Sequence, residues 1–234
     1  MSSLNILSGG AAQGLVKSLA ADFRGQTGFE IAGEFGAVGV MADKLRKGTP
    51  TDIVILTAAL LAKLAEEKLI VTATISDVGL VETALAVRTS DPLAAVKDAD
   101  DLRQTLMESD AIYVPDTKAS TAGIHVANVL QQLGIATEVA ERLRIFPNGA
   151  TAMREMAASD ARRPIGCTQS TEIISTEGVT LSGSLPPGCD LATTYTAGIT
   201  VAAAHPQQAQ ALIALLTGIA QQEQRKQAGF VSGR

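Results

Sequence analysis

Short apolar runs alternate with longer amphipathic runs from the start of this chain. The short runs have the length of buried strands, and the longer ones repeat apolar residues at the spacing of helices. We predict strands over residues 4–7, 29–35 and 52–56, followed in turn by helices over residues 12–23, 36–46 and 58–68. This alternation predicts a parallel sheet with helices on its faces.

Two long extended runs, at residues 78–88 and 191–203, interrupt the alternation and bracket a second α/β set. We predict strands at residues 111–114, 143–146 and 164–168, helices at 99–108, 120–133, 150–158, 169–174 and 206–217, and a frayed tail. The chain is therefore expected to be an α/β protein of two lobes, each a mostly parallel sheet flanked by helices. Lobe 1 would contain residues 1–83 and 196–234 and lobe 2 residues 84–195, with hinge strands near 80–88 and 191–201.

The composition excludes several classes of function. Hydrophobic residues make up 46% of the 234 residues and Trp is absent, which favours an aliphatic α/β core. A net charge of −5, without a run of Lys or Arg, argues against binding to nucleic acid. No window is apolar enough to predict a membrane span. Cys167 and Cys189 lie outside any metal-binding motif, and we favour two thiols over a disulfide bond.

The first residues carry neither a basic segment nor the apolar core and cleavage site of a signal peptide. The chain as given is therefore expected to be cytoplasmic. If an upstream signal peptide was trimmed, the expected location becomes periplasmic.

The segment at residues 115–125 is the strongest candidate for a binding site. It follows an apolar strand and enters a helix through Ser120 and Thr121, beside Lys118. The first N–H groups of a helix lack intrahelical partners and carry its positive dipole end, so an anion fits there. The alternative is a simple N-cap, in which Ser120 or Thr121 bonds a helix N–H group and no ligand binds.

Further loops follow the predicted strands and are expected to meet at one crevice, where ligands bind in open α/β sheets. Their candidate binding residues are Ser8, Gly9, Gly10, Ala11, Gly36, Ala37, Val38, Thr57 and Gln169. The glycines would let main-chain N–H groups approach an anion closely, although each Gly-containing loop is equally explained as a tight turn. No nucleotide-binding fingerprint occurs, so we expect no nucleotide cofactor.

Candidate proton-transfer groups are few. His125 lies four residues beyond Thr121, and Glu34 lies near the end of the second predicted strand. A histidine packed in the helix and a solvated carboxylate at the strand end are the structural alternatives. No metal-ligand cluster and no nucleophile elbow are present, so we expect neither a metal centre nor a serine hydrolase.

Several of these segments resemble the substrate-binding proteins of ABC transporters, in particular the molybdate-binding type. The shared features are Phe-Gly-Ala-Val-Gly at 35–39, Asp-Lys-Leu at 43–45, Gly-Thr-Pro-Thr-Asp at 48–52 and Tyr-Thr-Ala-Gly-Ile at 195–199. The resemblance implies a type 2 periplasmic-binding-protein fold, in which a ligand closes two lobes. Family molybdate sites use hydroxyl residues where this chain has Ala11 and Val38, so molybdate is not the expected ligand.

The chain is also similar to an aconitate isomerase-like branch of this family. This similarity rests on the loop at 116–124, Gln-Ser-Thr-Glu-Ile at 169–173, Gly-Ser-Leu-Pro-Pro at 183–187 and Thr-Tyr-Thr-Ala-Gly at 194–198. This resemblance implies a 1,3-shift of an allylic proton in an unsaturated polycarboxylate, without metal or organic cofactor. The base would be Lys118, Glu34 or His125, and fixed N–H donors would stabilise the dienolate charge.

Two hypotheses from different classes therefore remain: an isomerase, and a non-catalytic binding protein for a small organic anion or oxyanion. The expected partner is a small di- or tricarboxylate in both cases, and no obligate protein partner is evident. The missing export signal favours the isomerase at this stage. Fold alone does not decide between them, because function depends on the site.

Overall fold

The computed structural model describes residues 2–231 and divides into two compact units. Unit 1 contains the residues up to Val81 and those from Thr193 onward, and unit 2 is Glu82–Ala192. The chain passes from one unit to the other twice, each time within a strand. Predicted lobe 1 also includes residue 1 and residues 232–234, which lie outside the described residues.

The described residues form strands and helices in the following order. The strands are β1 (Ser3–Gly9), β2 (Glu30–Gly36), β3 (Ile53–Thr57), β4 (Ser76–Arg88), β5 (Ala111–Pro115), β6 (Leu143–Phe146), β7 (Pro164–Gln169), β8 (Val179–Ser184) and β9 (Ala192–Ile199). The helices are α1 (Gln13–Thr27), α2 (Val38–Arg46), α3 (Ala58–Glu66), α4 (Ala99–Glu108), α5 (Thr121–Gln132), α6 (Gly149–Ala157), α7 (Ser170–Ile174), α8 (Pro206–Thr217) and α9 (Gln222–Gln227). Single 3-10 turns occur at Gly10–Ala12, Thr72–Thr74, Ala140–Arg142 and Ile219–Gln221.

Unit 1 is built on three parallel strands in the order β2, β1, β3, with β9 antiparallel to β3. Helix α1 buries Leu15, Leu19 and Phe23, which lie four residues apart and so share one face of the helix. Gly33 of β2 packs so tightly that a Cβ there would lie 2.1 Å from the carbonyl oxygen of Ile6. The parallel arrangement brings the carboxyl ends of β1, β2 and β3 to one edge of the sheet.

Unit 2 contains parallel strands in the order β7, β5, β6, with the second part of β4 antiparallel to β7 and β8 antiparallel to β4. Alternate residues of these strands face opposite sides of the sheet. Leu85 and Cys167 join the core that packs against α5, through residues such as Val126 and Leu130. Residues on the other face pack against α6 in a second core, which consists of Ala84, Ala86, Ala111, Tyr113, Ala152, Met153, Met156 and Ile173.

The predicted α/β class and the mostly parallel sheets are confirmed. Some boundaries differ for local reasons. Helix α1 begins at Gln13 because the 3-10 turn Gly10–Ala12 precedes it, and β9 ends at Ile199, earlier than the predicted extended run. The predicted tail contains α9, and β8 was missed because its run from Val179 is short and Gly-containing. No helix among residues 2–231 is both long and apolar enough to cross a membrane.

The two cysteines are free thiols, and both are buried in unit 2. Burial raises the pKa of the Cys167 thiol to about 12, and burial together with Asp190 raises the pKa of Cys189. Because the thiolate is the reactive form, we expect neither thiol to react with DTNB in the native protein. Both should react once urea unfolds the chain. Rapid labelling of the native protein would contradict this placement.

Candidate functional site

The loop after β5 is organised by one carboxylate. The Oδ1 atom of Asp116 accepts hydrogen bonds from the backbone N–H groups of Lys118 (2.7 Å) and Ala119 (2.9 Å). The Asp116 carbonyl oxygen also accepts from the N–H of Ser120, at 3.1 Å. An Asp side chain that bonds the backbone two residues on makes a tight turn. This role of Asp116 was not predicted, although an Asp directly after an apolar strand is a known turn signal.

Helix α5 begins without a side-chain cap. Ser120 has the extended backbone of an N-cap residue (φ −97°, ψ 135°), but its hydroxyl makes no capping hydrogen bond. The first N–H groups, those of Thr121, Ala122 and Gly123, therefore have no acceptor within the helix. Among the described residues, no loop carbonyl accepts from them either. The simple N-cap that was the alternative interpretation of this segment is not formed by Ser120.

Helices α4 and α6 of unit 2 are capped by side chains, whereas the five-residue helix α7, like α5, has no side-chain cap. At α4, Asp98 accepts from the N–H of Asp101 at 2.9 Å. At α6, Asn148 accepts from the N–H of Thr151 at 2.9 Å. The same unit thus satisfies the starts of α4 and α6 with side chains and leaves that of α5 open to an anion.

Close packing fixes the position of this open helix start. A Cβ at Gly123 would lie 2.2 Å from the carbonyl oxygen of Asp116 and 2.5 Å from that of Pro115. Only glycine allows the first turn of α5 to lie so close to the end of β5. Lys118 is exposed in the loop before it and forms no ion pair with a described residue, so its charge is available to a ligand.

Gln169, predicted as a binding residue, lies at the end of β7 with only 2% of its surface exposed. Both polar atoms of its side-chain amide lack a hydrogen-bond partner among the described residues. Because β5 and β7 are parallel and Tyr113 pairs with Gly166, Asp116 lies level with Gln169. The carboxyl end of β7 therefore adjoins the loop that leads into α5.

Glu172 was not predicted as a site residue, and it lies buried on α7. Its Oε2 atom accepts a hydrogen bond from the Thr168 hydroxyl at 2.6 Å. A Cβ at Gly149 would lie 2.0 Å from the same Oε2 atom, so the carboxyl group packs directly against the start of α6. Burial raises the pKa of Glu172, while Thr168 and the backbone N–H groups of Ala150, Gly149 and Gln169 oppose this shift. The start of α6 is thus occupied by an acidic group of the protein itself, the carboxyl group of Glu172.

The remaining candidate bases have partners of their own. The Nε2 atom of His125 lies 2.8 Å from the carbonyl oxygen of Cys189, so it carries a proton and donates to that oxygen. This bond ties α5 to the loop before β9. Glu34 is exposed on β2 and forms an ion pair with Lys44. The structure places His125 in the unit that holds Lys118, and Glu34 in the other unit.

The predicted loops of unit 1 lie at the carboxyl edge of its parallel strands. Gly9 and Gly36 pair with each other at the ends of β1 and β2. A Cβ at Gly9 would lie 2.8 Å from both the Tyr195 ring and the Val38 side chain, so this glycine is required by close packing. The Ser8 hydroxyl donates to the Gly9 carbonyl oxygen at 3.0 Å. The other predicted residues of this edge are Gly10, Ala11, Ala37 and Thr57, of which the first three are buried.

No group of three or more His, Cys, Asp and Glu side chains among residues 2–231 is arranged to hold a metal ion. Among the described residues around the start of α5, the available polar groups include helix N–H donors, the Lys118 ammonium and the neutral amide of Gln169. Such an arrangement suits the binding of an anion.

Comparisons with known proteins identify the family and the fold. Residues 4–231 match the family model of bacterial extracellular solute-binding proteins. The search of curated proteins finds no match. The fold is similar to that of the periplasmic molybdate-binding protein of Azotobacter vinelandii, with a TM-score of 0.80 and 19% identity over 99% of this chain and 100% of that one.

Two further solved structures share the fold. The sulfate-binding protein SubI of Mycobacterium tuberculosis gives a TM-score of 0.76 and 19% identity, over 98% of this chain and 86% of that one. PEB3 bound to L-phospholactate gives a TM-score of 0.70 and 17% identity, over 98% of this chain and 100% of that one. The expected two-lobed α/β fold of the periplasmic-binding-protein type is confirmed.

The family match also corrects two expectations. The preference for an isomerase is wrong, because the matching family is one of solute-binding proteins. The expectation of a cytoplasmic protein has no support, because the family is described as extracellular. The match spans nearly the whole described chain, so this protein belongs to the family of bacterial extracellular solute-binding proteins.

Proposed function

We propose that this solute-binding protein takes up a small organic anion and binds a carboxylate of that anion at the start of α5. The observation that carries the proposal is the uncapped N-terminus of α5, in a unit where α4 and α6 are capped. Lys118 adds a full positive charge beside the N–H groups of Thr121, Ala122 and Gly123. A carboxylate there would accept charge-assisted hydrogen bonds, which are about twice as strong as neutral ones.

Organic anions fit the site better than molybdate or sulfate do. A tetrahedral dianion needs many donors around all of its oxygens, whereas the start of α5 offers the N–H groups of Thr121, Ala122 and Gly123 and the charge of Lys118. The fold is compatible with a ligand of the proposed class, because PEB3 was solved with L-phospholactate, which bears a carboxylate. We infer further that the protein acts outside the cytoplasm and delivers its ligand to an ABC transporter.

Calorimetric titration tests this proposal with citrate, trans-aconitate, molybdate and sulfate as probes. We expect at least one of the two tricarboxylates to bind, and both inorganic dianions to bind at least about tenfold more weakly. Replacing Lys118 with Met should weaken binding of that tricarboxylate by about tenfold or more, because an ion pair and its hydrogen bonds are lost.

Lys17→Met is the matched control, because Lys17 is an exposed lysine on α1 and lies outside the proposed site. It should leave the affinity unchanged. Tight binding of molybdate with no binding of either tricarboxylate would contradict the proposal. An unaffected Lys118→Met variant would show that the carboxylate is bound elsewhere.

A further inference from the structure

Unpaired polar groups are concentrated at one place in unit 2. Among the described residues, all four buried side-chain polar atoms without a partner belong to Thr83, Gln169 and Thr171. Each of these residues is at most 2% exposed. An unpaired buried polar group is destabilising, and buried polar atoms of native proteins are nearly always paired. Three such residues together indicate a polar group that the protein itself does not supply.

Two of the three residues, Thr83 and Gln169, lie beside the proposed carboxylate site. Thr83 and Gln169 are direct register partners in the antiparallel pair of β4 and β7, so their side chains lie side by side. Leu85, two residues after Thr83, and its register partner Cys167, two residues before Gln169, belong to the core that packs against α5. Since residues two apart share a face, Thr83 and Gln169 lie on the α5 face of the sheet. They lie at the end of β7, which is the end from which α5 begins.

The chemistry of the amide restricts what can fill this place. The Nε2 atom of Gln169 donates, but its Oε1 atom only accepts. A carboxylate oxygen is also only an acceptor, so it leaves Oε1 unpaired. A hydroxyl group donates one hydrogen bond and accepts two, and the hydroxyl of Thr83 can rotate to complement it. A single hydroxyl group therefore satisfies Oε1 and Nε2 of Gln169 together with Thr83, where a carboxylate cannot.

We propose that Gln169 and Thr83 bind a hydroxyl group of the ligand, and that the ligand is therefore a hydroxycarboxylate. The carboxylate would lie at the start of α5 and the hydroxyl at the end of β7. This inference rests on the proposed function. It adds a substrate class to that function, because simple carboxylates, sulfate and molybdate lack the required hydrogen-bond donor.

Matched acids test the inference by calorimetry. Citrate and tricarballylate carry the same three carboxylates and differ in one hydroxyl group, as malate and succinate do with two carboxylates. We expect the hydroxylated member of at least one pair to bind about tenfold or more tightly than its partner, since the partner leaves Oε1 unpaired. Gln169→Met should remove this preference by weakening only the hydroxylated acid. Gln104→Met, an exposed position on α4, is the control and should change neither affinity.

The possible failures are distinguishable. If neither pair shows a preference in the wild-type protein, the carboxylate site stands and the hydroxyl site is wrong, with water filling the polar cluster. If Gln169→Met weakens the binding of both acids of a pair equally, Gln169 does not bind the ligand hydroxyl. The inference is then again wrong. If neither these four acids nor trans-aconitate binds, the proposed function itself fails, and this inference fails with it.

Discussion

Replacing Gly149 with Ala is expected to lower the free energy of unfolding by about 3 kcal/mol. The new Cβ would lie 2.0 Å from the Oε2 atom of Glu172 and 2.1 Å from the Thr168 hydroxyl. Both groups are buried, and the 2.6 Å hydrogen bond between them would have to break or shift. Separating buried polar partners adds the cost of an unpaired group to the steric cost. Urea unfolding followed by circular dichroism measures the loss.

Gly25→Ala provides a matched control. Gly25 lies in α1, and a Cβ added there would meet no atom within 4 Å, so alanine fits without a clash. This variant should stabilise the protein by about 0.5–1 kcal/mol, because alanine favours a helix. Equal effects of the two substitutions would contradict the close approach of Glu172 to the start of α6.

The arrangement at Glu172 explains why α5, and not α6, is the proposed anion site. At α6, Asn148 satisfies one N–H group and the Glu172 carboxyl group packs against the first residue. A ligand carboxylate would have to displace a buried acidic side chain there. At α5 no side chain among residues 2–231 takes that place, because Ser120 does not cap the helix and Asp116 bonds the loop before it.

Much of this fold follows from local patterns. Helix α4 was predicted at the bounds that the structure has, because Asp98 caps it and its apolar residues keep a helical period. The strands of the parallel sheets were predicted because buried strands appear in a sequence as short runs of apolar residues. Strand β8 lacks such a run, and it owes its place to pairing with β4, which is distant in sequence. A local pattern carries no information on such a pairing.

The candidate site was only partly predictable for the same reason. Lys118 and Ser120 follow an apolar strand directly, so the sequence places them at its carboxyl end. Thr83 belongs to the site only because β4 pairs with β7, and a single sequence does not state strand register. The isomerase hypothesis failed because fold and loop pattern are shared by binding proteins and enzymes, and the choice between them lies in chemistry that motifs do not specify.

The second large effect is expected from a carboxylate placed at the start of α5 by mutation. Ser120→Asp would supply the N-cap that the protein lacks, because an Asp at this position accepts from the N–H of Ala122 or Gly123. The capping hydrogen bond and the helix dipole should stabilise the ligand-free protein by about 1 kcal/mol. The same carboxylate would take the position proposed for the ligand and repel it, which should weaken binding by about 100-fold or more.

Opposite effects on stability and binding distinguish this outcome from damage to the fold. A substitution that merely disturbs the loop would lower both the stability of the protein and its affinity for the ligand. Ser120→Ala is the control, since it removes the hydroxyl without adding a charge. It should leave stability nearly unchanged, because Ser120 makes no capping hydrogen bond, and should weaken binding far less than Asp does.

Titration of the Ser120→Asp variant, with the tightest-binding carboxylate found for the wild-type protein, tests the carboxylate site at α5 most directly. It should be combined with urea unfolding of the ligand-free variant. We predict that the variant loses its affinity for the ligand, while the urea concentration at the midpoint of unfolding rises. Wild-type affinity in the more stable variant would contradict the account, because the first turn of α5 would then be capped and yet irrelevant to the ligand.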